Sequence, residues 1–168
     1  MKRIILIFIV TLFSVTTYAQ RFAYVDTEYI LSNIPAYKAA QEKLNQLSTE
    51  WQKEIEAQYV ELDVLYKKFQ NEKVLLSDEM KKQRQEEIIS REKQIKELQN
   101  EYFGRDGTLF QKRQELISPI QDEIFSAVKE IAKSENFAVI FDSTESNMLF
   151  NDPKYDKSDE VLEKLGYK

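Results

Sequence analysis

The chain has 168 residues, with 24 basic and 29 acidic side chains and a formal net charge of −5. It contains no histidine and no cysteine, which removes the commonest general base and metal ligand together with disulfides, thiol chemistry and lipid attachment to cysteine. The acidic balance runs against a nucleic-acid binder, and three glycines form no phosphate-cradling loop. The remaining carboxylates, such as Glu86 and Glu87, are spread along charged helix faces, so the reading is not an enzyme.

The N-terminus reads as an export signal over residues 1–19. Lys2 and Arg3 precede an apolar run from Ile4 to Val15, interrupted only by Thr11 and Ser14. That run is too short for a comfortable membrane span. Thr17 and Ala19 fit the small-residue pattern before a cleavage site, which puts the mature start at Gln20. Without Lys2 and Arg3 the balance is 22 basic against 29 acidic residues, a net of −7.

Phe22–Asp26 has strand character, with Phe22 and Tyr24 on one face and Ala23 and Val25 on the other. Asp26 or Thr27 suits the cap of a short helix through Leu31. Pro35 suits the first position of a long helix, where its missing N–H costs nothing. The apolar stripe of that helix is Leu44, Leu47, Trp51, Ile55, Tyr59, Leu62, Tyr66 and Phe69, a seam narrow enough for one partner helix. The other faces read as Lys, Glu, Gln and Asn. About 37 residues give a helix of roughly 55 Å.

The run Val74-Leu75-Leu76-Ser77-Asp78 breaks the pattern, and Ser77 suits the N-cap of a return helix. The return stripe is Ile88, Ile95, Leu98, Tyr102, Leu109, Leu116, Ile120, Ile124, Val128 and Ile131. A second row, Phe103, Phe110, Ile117 and Ile124, widens the apolar face toward the C-terminal end. Gly104, Gly107 and Pro119 interrupt this helix; the glycines suit a flexing point and the proline a kink.

After Asn136 the period changes to two. Phe137–Asp142 reads as a strand and Met148–Phe150 as a second, joined in a hairpin through Ser143–Asn147. Ser158 suits the cap of a short final helix closed by Gly166. The fold class is therefore α+β and mostly α: a long antiparallel two-helix coiled-coil hairpin arm on a small β body. Within residues 20–168 the arm covers 37–103, and the body covers 20–36 and 104–168. So few strands make no independent sheet, so the body calls for oligomerisation.

The order of these parts carries a resemblance. Phe22-Ala23-Tyr24-Val25-Asp26 is followed by Tyr29-Ile30-Leu31 and by Pro35-Ala36-Tyr37-Lys38-Ala39-Ala40-Gln41. After the hairpin, Ile131-Ala132-Lys133 leads into Phe137-Ala138-Val139-Ile140-Phe141-Asp142, and the tail is Asp156-Lys157-Ser158-Asp159-Glu160-Val161. This resembles the Skp (OmpH) family of periplasmic outer-membrane-protein chaperones. The resemblance implies a homotrimer whose pooled strands form a small barrel-like body. It also implies three arms around a cavity that holds unfolded outer-membrane proteins without ATP or any cofactor. This chain departs from the strongly basic members in being acidic.

Two sets of residues stand out as candidate sites. Over residues 67–84, Lys67, Lys68, Lys73, Lys81, Lys82 and Arg84 stand against Glu72, Asp78 and Glu79, a net of +3 at the arm tip. With Leu75, Leu76 and Met80 they suit contact with an unfolded client or an anionic membrane surface. Phe22, Tyr24, Phe137, Val139 and Phe141 read as body core or oligomer interface. The competing function is a structural coiled-coil spacer of the envelope that binds no client. A spacer needs continuously packed arms with few exposed apolar residues.

Overall fold

The computed structural model describes residues 21–168, so the expected cleavage after Ala19 lies outside it. The elements run β1 (Arg21–Val25), α1 (Thr27–Asn33), α2 (Pro35–Glu72), α3 (Asp78–Phe103), α4 (Thr108–Ser134), β2 (Phe137–Asp142), a short 3-10 turn (Pro153–Tyr155) and α5 (Ser158–Leu165). The described residues separate into two compact units, 34–123 and the remainder up to 33 together with 124–168.

In the 34–123 unit, Ile34 is extended, as a residue before proline should be, and Pro35 opens α2. At 38 residues α2 is about 57 Å long. The chain reverses after Glu72, and the Ser77 hydroxyl accepts from the Met80 N–H at 3.4 Å to cap α3. The seam of this hairpin is a cluster of Ile55, Leu62, Ile88 and Ile95, flanked by Leu65, Phe69 and Leu98. Trp51 stacks on Tyr102 with ring centroids 4.8 Å apart. Polar bonds between α2 and α3 accompany the apolar seam: the Tyr102 hydroxyl donates to Glu54 at 2.9 Å, that of Tyr66 donates to Glu92, and Arg91 pairs with Glu61.

The return segment is two helices rather than one. Gly104 leaves α3 with φ −62° and ψ 170°, its N–H still bonded to the Asn100 carbonyl at 2.8 Å. The Gly107 N–H then bonds to the Gly104 carbonyl, and the Gly107 carbonyl receives the Gln111 N–H of α4. A Cβ on Gly104 would lie 2.3 Å from the Asn100 oxygen, and one on Gly107 would lie 2.9 Å from the Glu101 oxygen. Close backbone approach requires these glycines, not positive φ. Beyond the break α4 presents Ile117, Leu109 and Leu116 to Ala40, Leu44 and Tyr37 of α2. It continues through Pro119 as a single helix to Ser134. Burial deepens along the second apolar row, from exposed Phe110 to buried Ile117 and Ile124.

In the other unit β1 and β2 pair in parallel, with Phe22 opposite Val139, Ala23 opposite Ile140 and Tyr24 opposite Phe141. The expected hairpin between Phe137–Asp142 and Met148–Phe150 does not form. A turn follows β2, with the Ser146 N–H on the Asp142 carbonyl and the Met148 N–H on that of Ser146. The chain then reaches the far edge of β1, where Asp156 bridges Tyr24 and the Lys157 N–H donates to the Tyr24 carbonyl at 2.9 Å. Met148–Phe150 is therefore led away from its own β2.

Asp26 caps α1, accepting from the Tyr29 N–H at 2.8 Å, and the helix runs to Asn33, two residues beyond expectation. Ser158 does not cap α5; the cap position is Lys157. The buried Ser158 hydroxyl instead accepts from the Asp26 N–H at 2.8 Å and donates to Asp156 at 2.6 Å, linking the two ends of the chain. Gly166 closes α5 at φ +81°, the left-handed position where glycine is favoured.

Of the five residues expected in the body core or at an oligomer interface, Tyr24 is buried within the chain. Phe22, Val139 and Phe141 are exposed, because among the described residues no second layer covers that face of the two-stranded sheet. Phe137 is half-buried between the Arg21 guanidinium at 4.7 Å and the Lys157 ammonium at 5.5 Å. On the opposite face Ala23 and Val25 are buried, and the unit's core is completed by Ile30, Ile124, Ala127, Ile131, Val161 and Leu162.

Candidate functional site

Among the described residues, large exposed apolar side chains gather on three surfaces in particular. The first is the hairpin itself. Tyr59 and Tyr66, expected in the seam, are partly exposed. Val60 and Val64, four residues apart and off the seam of α2, are 59% and 58% exposed, and Ile89 of α3 is 62% exposed. The helix faces outside the seam are therefore not uniformly polar. Beside Val60 and Val64 runs a groove of about 630 Å³, lined also by Leu65 of α2 and by Ser90, Arg91 and Gln94 of α3. The sequence held a signal for this stripe. Valines spaced i, i+4 on an otherwise charged face fall on one line of a helix.

The second surface is the turn between α2 and α3. Val74 and Leu75 are almost fully exposed and Met80 about half so, whereas Leu76 folds inward to half-burial. Four of the six expected cations are locally paired: Lys67 with Asp63, Lys81 with Asp78, Lys82 with Glu86 and Arg84 with Glu87. Extending the charge count to residues 63–87 gives six basic and six acidic side chains, a net of zero. Among the described residues Lys68 and Lys73 have no such partner, so these two cations stand unpaired near Val74 and Leu75.

The third surface is the open sheet face. Phe22 and Phe141 stack at 6.4 Å between centroids. With Tyr24, Met148, Phe150 and Tyr155 they line a cleft of about 580 Å³. Burial, reinforced by the charges of Asp156 and Asp152, holds the Tyr24 hydroxyl above its ordinary pKa. At one margin Lys157 sits between Glu135 at 2.8 Å and Glu160 at 2.6 Å. Burial there would lower the ammonium pKa, but the two carboxylates outweigh it and raise it. These charges fasten the start of β2 to the start of α5 and offer no reactive group.

Among the described residues no cluster of acidic side chains could hold a metal ion, and no helix is long and apolar enough to cross a membrane. The described residues thus form a long α-hairpin with exposed apolar side chains and a small α/β unit with an uncovered sheet face. The outer membrane protein (OmpH-like) family matches residues 21–165, and the chain belongs to that family. The fold is similar to the crystal structure of an OmpH-like outer membrane chaperone from Caulobacter crescentus CB15. The TM-score is 0.67 at 14% identity, over 88% of this chain and 84% of that one. A comparison with curated proteins returns no match.

Proposed function

We propose that the protein is an ATP-independent holdase of the periplasm that binds unfolded outer-membrane proteins along its helical hairpins and keeps them from aggregating. The observation that carries this reading is the exposure of Tyr59, Val60, Val64 and Ile89 along a hairpin that already has a complete seam. A spacer gains nothing from such residues. A holdase needs them, since apolar surface shared over several sites holds a client that has no fixed shape. Membership of the OmpH-like family and the fold shared with the Caulobacter protein support the reading.

In this reading the protein works as a homotrimer. The uncovered Phe22, Val139 and Phe141 face and the two-stranded sheet of the smaller unit give each copy reason to share its strands. Lys68 and Lys73 speed the first encounter with anionic clients. An anionic membrane surface is a second target for the same turn, through Val74 and Leu75. The leader is removed after Ala19 on export.

The test is dilution of a urea-unfolded outer-membrane barrel into buffer with stoichiometric protein and no nucleotide. Light scattering should stay near baseline. Aggregation as fast as in buffer alone, from a folded and assembled protein, would leave the spacer reading in its place.

A further inference from the structure

The groove beside Val60 and Val64 lies wholly within the 34–123 unit, and its two walls differ in kind. The α2 wall is apolar, with Val60, Val64 and Leu65, and both valines are more than half exposed. Four residues apart on one line of the helix, the valines are separated by about 6 Å along its axis. The α3 wall is polar, with Ser90 and Gln94 at the same spacing of about 6 Å. Among the described residues the Ser90 hydroxyl and the Gln94 carboxamide nitrogen make no hydrogen bond; Gln94 is engaged only through its oxygen, by Arg91 at 3.4 Å.

The charges in the groove cancel: Arg91 pairs with Glu61 across it, and Glu87 holds Arg84 at 2.8 Å. One turn further along the valine line stands Lys68, which has no ion-pair partner among the described residues. An occupant that fits is apolar along one side, uncharged over the groove, rich in unpaired hydrogen-bonding groups along its other side, and acidic at the Lys68 end. An extended chain meets these demands. Its side chains on one face recur every 6.6–6.8 Å or so, and the N–H and C=O groups along one edge recur at the same interval. A helix, whether of a client or of a second copy of this chain, satisfies its own backbone and would leave Ser90 and Gln94 unused.

We propose that this groove seats an extended segment of an unfolded outer-membrane strand. Two alternate apolar side chains lie on Val60 and Val64, the backbone edge meets Ser90 and Gln94, and a carboxylate at the next alternate position meets Lys68. This rests on the holdase reading above and specifies which client segment is held. Strands of outer-membrane barrels alternate apolar with polar side chains, so an unfolded client repeats the apolar spacing along its length. The groove reads a spacing and not a sequence.

The test uses the full mature protein and three short fluorescent peptides of one composition, read by anisotropy at low salt. One has two leucines at alternate positions and an aspartate at the next alternate position; the others have the leucines adjacent or four apart. The alternating peptide should bind at least about fivefold tighter than either of the others. Val60→Ser with Val64→Ser alters exposed side chains, so helical circular dichroism and oligomer mass should be unchanged while this peptide binds about tenfold more weakly. Ile89→Ser, exposed but outside the groove, should leave its affinity as it was. Lys68→Glu should reverse the preference between the aspartate peptide and its lysine counterpart. Equal affinity for the three spacings, no binding of the alternating peptide, wild-type affinity in the double serine variant, an altered oligomer mass in that variant, or a preference that Lys68→Glu leaves in place each overturns the inference. None of these touches the holdase reading, which stands on light scattering with the whole barrel. A wild-type protein that lets the barrel aggregate overturns that reading and the inference with it.

Discussion

Ile95 is the position at which the hairpin should be most sensitive. It is 1% exposed and lies in the seam with Ile55, Leu62 and Ile88. Ile95→Ala removes three carbon groups, about 2.4 kcal/mol at roughly 0.8 kcal/mol each. The hole left between two long helices cannot fully close, since α2 and α3 are held in register on either side by Tyr102 with Glu54 and Tyr66 with Glu92. The cavity term brings the expected loss to about 3–4 kcal/mol. Ile89→Ala removes the same atoms from a side chain 62% exposed and should cost under about 1 kcal/mol. Urea unfolding followed by the fluorescence of Trp51, the single tryptophan, reads this directly because its ring stacks on Tyr102 of α3. At a slope of about 1–3 kcal/mol per molar urea the Ile95 midpoint should fall by at least about 1 M. Equal midpoints for the two alanine variants would refute the assignment of Ile95 to the seam. In the holdase assay the order should reverse, since Ile89→Ala removes a client contact and leaves the hairpin intact.

Gly104→Ala should destabilise by about 1–3 kcal/mol despite the higher helix propensity of alanine, because its Cβ would meet the Asn100 carbonyl at 2.3 Å; thermal unfolding checks it. Acid should loosen the smaller unit. Lys157 lowers the Glu135 pKa, Lys164 that of Glu130, and Lys168 that of Asp159. Folded values below the unfolded ones contribute stability that is present above the ordinary carboxylate range and lost as pH falls through the folded values. Urea midpoints should therefore drop from about pH 5 downward, and a flat profile to pH 3 would contradict this. Lys68→Gln with Lys73→Gln should slow capture of an anionic client several-fold at low salt and change nothing at high salt, where screening is complete within a few Å. The same change at Lys81 and Lys82, already paired with Asp78 and Glu86, should matter less. Intact mass of the exported form should begin at Gln20.

The helices were legible because a single period runs through them. The seam residues Ile55, Leu62, Ile88 and Ile95, the reversal before Ser77 and the entry at Pro35 follow from spacing and capping chemistry alone. The sheet was less so. Arg21–Val25 and Phe137–Asp142 pair in parallel across more than a hundred residues, and no local pattern encodes that register. Met148–Phe150 has period-two apolar character, but the tie of Lys157 to Tyr24 carries the segment past β1 instead of back along β2. Ser158 sits where a cap would, yet its hydroxyl is worth more as a buried link between Asp26 and Asp156. At the tip, charges inside a short window suggested a basic cluster, while Asp63, Glu86 and Glu87 lie one helical turn outside it. The exposed Val60, Val64 and Ile89 lay off the seam, and searching for one apolar face passes over a second, weaker one.

The measurement that bears most directly on the central claim is mass in solution, by sedimentation or light scattering, with and without one urea-unfolded outer-membrane barrel and without nucleotide. The account predicts an oligomer of three copies alone, and a soluble species of three copies plus one unfolded barrel after mixing. An oligomer whose mass is unchanged while the barrel precipitates would contradict it.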